Sequence, residues 1–292
     1  MSPPVFVSTG AFDAPNLGAA LDLAAEWGSR FVELSSGVPW AAGNVDLARQ
    51  RAGAFTFLVH NYFPGAAEPF VLNLASADDD TRNRSLAHCR AAIELSAELG
   101  APFFAAHAGY ALDPDAKRLG QAIDSSRRVP LETAHRHMLE SVRALCAHAH
   151  RHGIAFYVEN NVVAPFNAPG GRNDWLLLAE PAEMETFAAE VGDPAFRYLL
   201  DAAHLSVTAR TLGFDRTQAL RRLSPLVGGW HLSDNDQLSD SNQPFGRDAW
   251  FLAEVAATPA KAVVIEAYRL KRAELDRCLD AVDWALRGEG QR

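Results

Sequence analysis

Four residues carry the sharpest chemical signal in this sequence: Glu159, Asp201, His231 and Glu266. Each stands at the end of a short apolar run, in AFYVE, RYLLD, GGWH and AVVIE. A carboxylate at the tip of an apolar strand is costly unless it is paired, hydrogen-bonded or bound to a metal. Three carboxylates brought together repel and raise one another's pKa, and a divalent cation resolves that conflict. Three carboxylates and one imidazole, with no thiolate among them, suit Mn, Mg, Zn or Co. Two earlier runs end on histidine, TFLVH at His60 and FFAAH at His107, and RYLLDAAH adds His204. Glu33 is open between reaching the same site and capping a loop. Arg269, just past the last run, is open between holding a substrate hydroxyl or phosphate and forming an ion pair.

Polar groups at the carboxyl ends of successive strands are what a parallel α/β barrel uses to build its active site. Eight apolar runs fit such strands, at residues 5–8, 31–34, 55–60, 102–107, 154–158, 197–200, 227–232 and 262–267. Helical patterns alternate with them at 15–27, 44–51 with Asn44 as the cap, 78–99, 131–152, 181–191, 215–223 and 270–286, and one more is expected after the polar loop 233–246. Loops 61–77 and 109–130 are too long for simple connections and are candidate functional segments. A doubly wound open sheet would place a Gly-rich phosphate turn after its first strand, and Ser8-Thr9-Gly10-Ala11 lacks that pattern. A (β/α)8 barrel takes about 250 residues, so residues 1–292 are expected to form one TIM barrel domain.

The formal net charge of −9 argues against nucleic acid as a partner. The three cysteines, Cys89, Cys146 and Cys278, are scattered in helical runs, which fits buried apolar residues better than disulfides or thiolate ligands. No run is apolar for long enough to span a bilayer and no secretory leader opens the chain, so the expectation is a cytoplasmic protein with no membrane association. His135, His137, His148, His150 and His152 share one helical run at spacings too irregular for a ligand set, and are expected mostly on the surface. Asp234 and Asp236 fit turn residues. Trp40, Phe63, Phe166 and Trp230 fit either core or an apolar wall for a sugar face.

The order and spacing of the short segments VHNYF, VLNLAS, AHAG, VEN, LDAAH, HLSDND and VVIEAYR, from His60 to Glu266, resemble the xylose isomerase-like TIM barrels. That superfamily holds sugar and sugar-phosphate isomerases and epimerases, inosose dehydratase-type lyases, and endonuclease IV-type AP endonucleases. The VHNYF and NLAS pair resembles the endonuclease branch. That resemblance implies a first metal on His60, His107 and Glu159 and a second on Glu159, Asp201, His231 and Glu266. A third would need His204 and a downstream Asp-x-His, which here is Asp240-Ser241-Asn242. The epimerase branch needs only the second metal. Resemblance to it implies Glu159 and Glu266 as acid and base, with His204 helping to hold a substrate oxygen. Some ketose epimerases carry an Arg soon after the metal histidine, where this chain has the uncharged Gln237.

The resulting expectation is a divalent-metal-dependent isomerase or epimerase of a sugar or sugar phosphate. Glu159, Asp201, His231 and Glu266 would hold the ion, Glu159 and Glu266 would transfer the proton, and His60, His107, His204 and Arg269 would contact substrate. The alternatives are an endonuclease IV-type phosphodiesterase and an inosose dehydratase-like lyase. The partner is a small sugar, and a homo-oligomer is left open.

Overall fold

In the computed structural model, which describes residues 2–35 and 37–288, eight parallel strands close into a barrel in sequence order. They are β1 (Val5–Ser8), β2 (Phe31–Leu34), β3 (Thr56–His60), β4 (Phe103–His107), β5 (Ala155–Glu159), β6 (Arg197–Asp201), β7 (Val227–Leu232) and β8 (Ala262–Ile265). Between them lie α1 (Leu17–Glu26), α2 (Asn44–Arg51), α3 (Asp79–Glu98), α4 (Leu131–Arg151), α5 (Pro181–Val191), α6 (Ala202–Leu212), α7 (Arg216–Leu223), α8 (Leu252–Ala257) and, after the last strand, α9 (Arg272–Leu286). The fold is the expected (β/α)8 TIM barrel. No helix among the described residues is long and apolar enough to cross a membrane.

The core has two parts. One lies between the strands and the helices around them, where α4 turns Met138, Val142, Leu145 and Ala149 inward at helical spacing. The other fills the barrel itself, with Phe6, Leu58, Phe103, Tyr157, Leu199 and Val264 among its members. Side chains alternate along a strand, so a residue two places beyond an interior one points into the same space, one layer higher. Two places beyond Leu58, Ala105, Tyr157, Leu199 and Val264 stand His60, His107, Glu159, Asp201 and Glu266. The packed apolar layers are thus the floor on which the polar top layer rests. Phe103 and Tyr157 stack 4.6 Å apart in that floor, and β7 makes room with glycine. A Cβ on Gly228 would come within 2.4 Å of the Tyr157 ring and 2.6 Å of Arg197 Cβ.

Two expectations need correction. Asn44 does not cap α2; Gly43 holds the cap position, and the Asn44 amide donates to Pro39 O instead. Helix α6 was not anticipated. It starts directly after β6, and Ala202 through Ala209 are all buried, so it has no polar face to produce an amphipathic signature. The other helices fall within a few residues of their expected limits, with Asp78 and Asp215 capping α3 and α7 through side-chain oxygens.

Candidate metal centre

Helix α6 matters because it aims Asp201. Asp201 is its N-cap, and Oδ1 accepts from the His204 N–H at 2.7 Å. That leaves Oδ2 facing the barrel mouth without a hydrogen-bond partner. Asn160 ties the neighbouring strand end to it: Asp201 N donates to Asn160 Oδ1 at 2.8 Å, and Asn160 Nδ2 donates back to Asp201 O at 3.2 Å. The Asn160 backbone carbonyl lies 2.8 Å from His204 Nδ1. Strand register completes the grouping by pairing His107 with Glu159 and Asp201 with His231.

Glu159, Asp201, His231 and Glu266 are all buried, and each offers a ligand atom within 4.8 Å of the others. His60, His107 and Glu159 form a second set by the same measure, so Glu159 belongs to both. Glu159 Oε2 lies 2.9 Å from His60 Nε2 and 3.2 Å from His107 Nε2, while Oε1 lies 3.4 Å from His204 Nδ1 and 3.5 Å from His231 Nδ1. His231 turns Nε2 to Glu33 Oε2 at 2.9 Å and Nδ1 to Glu266 Oε2 at 2.7 Å. Glu33 therefore reaches the site. A histidine with one nitrogen on a carboxylate and the other facing ligand oxygens is the arrangement of a carboxylate–histidine–metal relay. Glu33→Gln is expected to weaken metal binding about 10- to 100-fold with little change in fold, as competition with a fluorescent chelator would measure.

The electrostatics fit a missing cation. Burial pushes the Asp201 carboxyl up, His204 pulls it down, and Glu159, Glu266 and Asp240 push it up again, leaving it at about 8. Burial also works against ionisation of Glu159, but His107, His231 and His60 outweigh it and hold Glu159 well below the usual carboxylate range. Glu266 is likewise opposed by burial and brought to about 2 by His231. His231 and His204 are disfavoured as cations by burial, yet are held well above the ordinary imidazole value by Glu266 and Asp201 respectively. Protons here do what a divalent ion would do. Most of the buried side-chain polar atoms left without a hydrogen bond among the described residues cluster at this point: Glu33 Oε1, both His60 nitrogens, both Glu159 oxygens, Asp201 Oδ2 and His231 Nδ1. Buried polar atoms are rarely left unpaired, and a converging set of them fits an ion.

The remaining candidates divide. His107 keeps 32% of its side chain exposed and is the most open member of the cluster. His204 Nε2 lies 3.2 Å from Asp240 Oδ2. Arg269 is exposed with positive φ; its backbone N–H donates to Gly10 O, and its side chain makes no hydrogen bond or ion pair among the described residues. Asn242, standing where an Asp-x-His would end in histidine, donates its amide to Glu266 O at 3.1 Å. Asp236 accepts from Leu238 N and Ser239 N as a turn residue. Phe63 and Trp230 are core, whereas Trp40 and Phe166 are exposed. The α4 histidines are not all on the surface: His148 is buried and lies 3.1 Å from Glu94 Oε1.

Sequence reasoning missed Tyr268. Its hydroxyl donates to Glu266 Oε1 at 3.1 Å, and its ring lies over Gly10, where a Cβ would come within 2.6 Å of it. The Glu266 charge, with burial, raises the Tyr268 phenol well above its ordinary value and keeps it a donor. Nothing local in EAYR marks this tyrosine, because its partner Gly10 is supplied from the other end of the chain.

A sequence profile describing a xylose isomerase-like TIM barrel matches residues 21–284. The chain belongs to that family. No curated protein matches the sequence significantly. Among solved structures of the same fold, a D-psicose 3-epimerase from Clostridium cellulolyticum H10 with D-tagatose aligns over 98% of this chain and 99% of its own, at TM-score 0.65 and 16% identity. A 3-keto-D-glucoside 4-epimerase from E. coli in its apo form aligns over 98% and 99%, at TM-score 0.67 and 17% identity. A xylose isomerase-like TIM barrel protein from Mycobacterium smegmatis in complex with magnesium aligns over 100% and 97%, at TM-score 0.67 and 13% identity. In this family setting, the strand-end cluster lies where barrel enzymes carry their chemistry.

Proposed function

We propose that the chain is a divalent-metal-dependent epimerase or isomerase of a sugar or sugar derivative. The observation that carries this reading is the convergence of the Glu159 and Glu266 carboxylates, with Asp201 and His231, on one buried point at the barrel mouth. Glu159, Asp201, His231 and Glu266 would hold Mn, Mg, Zn or Co, and that ion would supply Lewis acidity to the carbonyl and hydroxyl oxygens of an α-hydroxy ketone or aldehyde.

The chain's own residues do the rest. Glu159 and Glu266 stay ionised near neutrality because their histidine neighbours favour the charged form. One of the two takes the proton from the carbon next to the carbonyl and can return that same proton to the neighbouring atom. For delivery to the opposite face, the other carboxylate must first take up a proton from water and then give it to the carbon. Tyr268 holds Glu266 through Oε1, which fixes the carboxylate plane. His107, exposed toward the cavity, and His204 are placed to hold substrate oxygens. The sugar epimerases of the same fold support this reading. The endonuclease alternative is disfavoured because Asn242 stands where a third ligand set would need histidine, and an amide oxygen is a poorer zinc ligand than an imidazole.

Incubation of the metal-loaded enzyme with ketohexoses in heavy water is expected to introduce one deuterium at the carbon next to the carbonyl of the product, read by NMR. Efficient conversion with no solvent deuterium would replace proton transfer by a hydride shift. Cleavage of abasic DNA at low enzyme concentration would overturn the sugar assignment.

A further inference from the structure

The cavity at the barrel mouth extends well past the metal-ligand cluster. It encloses about 340 Å³ and shares His107 and His204 with the site, a volume within the range of small-molecule pockets. From those histidines it runs outward between the β4–α4 segment, residues 108–130, and the β5–α5 segment, residues 160–180, to Leu119, Ile123 and Phe166. Its side wall is a pair of rings, Tyr110 and Trp175, with centroids 6.0 Å apart and planes 36° from one another.

That wall is built in advance. Trp175 Nε1 donates to Asn167 O at 3.1 Å, Ala111 N donates to Trp175 O at 2.7 Å, and Tyr110 bridges to Leu176. Asn167 in turn accepts from Ile123 N at 2.9 Å, which joins the two segments across the cavity. At the outer end, Phe166 and Leu119 leave 43% and 42% of their surfaces exposed. Large apolar side chains left open beside an active site mark a surface that a ligand covers.

Tyrosines aside, the ionisable groups lining the cavity are Asp240, His107 and His204. No lysine or arginine contributes to it, and Asp240 is its carboxylate. Of the cations on the same two segments, Arg128 and Arg172 pair with Asp174, and Lys117, Arg118 and Arg127 also lie outside the lining, Arg118 and Arg127 beside an adjoining pocket that shares Ile123. A phosphate here would meet Asp240 and find only the His107 and His204 imidazoles, which already face Glu159 and Asp240, so its desolvation would be poorly compensated. An aryl ring would meet Tyr110 and Phe166, which suit offset or edge-on aromatic contacts, with the buried Trp175 backing Tyr110.

We propose that the substrate carries no phosphate and bears an uncharged aryl group on the side away from the reacting carbons, seated against Tyr110 and Phe166. This inference rests on the proposed sugar chemistry for the position of the reacting end. The test is calorimetric binding of phenyl β-D-glucoside, methyl β-D-glucoside and glucose 6-phosphate to the metal-loaded protein and to Phe166→Ala. The phenyl glucoside is expected to bind about tenfold more tightly than the methyl glucoside, consistent with one aromatic contact, and glucose 6-phosphate more weakly than either. Phe166 is exposed, so the substitution leaves the core intact, and it is expected to narrow the phenyl-to-methyl ratio. Equal affinities for the two glucosides, no binding of the phenyl glucoside at millimolar concentration, or tightest binding of glucose 6-phosphate would each overturn the proposal. Deuterium exchange into a ketose without a phenyl preference overturns the aryl site alone. A phenyl preference without exchange in any ketose overturns the sugar epimerase reading and leaves the aryl site standing.

Discussion

Glu266→Gln is expected to lower kcat by roughly a thousandfold, the range that removal of a positioned acid or base produces, while KM changes little. The amide keeps the shape of the side chain and one oxygen, which can ligate the ion in place of Oε2 while the bond that Oε1 accepts from Tyr268 at 3.1 Å is given up. What it loses is the ability to carry a proton. An interaction lost only in the transition state lowers kcat and kcat/KM together. The informative control is metal content by mass spectrometry: the variant should still load an ion, because an amide oxygen remains a ligand. A variant as active as the parent would remove Glu266 from proton transfer. A variant that fails to load metal would show Glu266 to be needed for the ion before the chemistry. Circular dichroism should be unchanged in either case, because Glu266 stands above the packed floor.

Asp201→Asn is expected to separate function from stability. Its metal affinity should fall by two orders of magnitude or more, since the charged ligand oxygen is replaced by an amide. The metal-free variant should nevertheless be the more stable protein at neutral pH. Burial and three neighbouring carboxylates raise Asp201 to about 8 in the folded chain, against an ordinary aspartate value near 3.9 when unfolded. A raised acid costs stability wherever the unfolded state has already released its proton. The penalty is absent below about pH 4, grows through pH 5 to 7, and is complete above about pH 8, amounting to a few kcal/mol. Asparagine has no proton to lose and escapes it, while still able to cap α6 through its side-chain oxygen. Urea denaturation of metal-free parent and variant from pH 4 to 8.5 should show the two diverging as pH rises. Saturating metal should reverse the order, because an ion that binds only the folded state adds stability. Parallel curves across that range would mean that Asp201 is not strained in the metal-free protein.

Much of the site can be read in the linear sequence because the barrel makes position in a strand equivalent to height in the molecule. An apolar run that stops at a carboxylate or histidine states both that the strand is buried and that its last inward residue is not. That is why His60, His107, Glu159, Asp201, His231 and Glu266 could be named together before any contact was known. What could not be read depends on cross-chain partners or on uniform burial. Tyr268 acts through a glycine 258 positions earlier, and Gly10 carries no mark of the ring above it. Glu33 gains its meaning from His231, on a strand far away in sequence. Helix α6 is buried on every side, so the period that reveals helices is missing. Asn44 has the residue type of a cap but finds Pro39 O first, and His148 is buried by α3 rather than by its own helix.

The seam between β1 and β8, with the contacts around it, bears on when the site comes into being. Arg269 N and Leu270 N bond to Gly10 O and Ala11 O, and Tyr268 packs on Gly10 as it holds Glu266. The carboxylate assigned to proton transfer is thus fixed by the longest-range closure in the molecule, and such contacts carry the largest loop-closure cost in folding. On the ribosome, seven strands can be synthesised with Glu159, Asp201 and His231 already in the chain while the ring is still open. A nascent or proteolysed chain lacking β8 would present buried acids and histidines to solvent with neither Glu266 nor its tyrosine in place. On the proposed reading, the site is complete only once β8 has docked on β1.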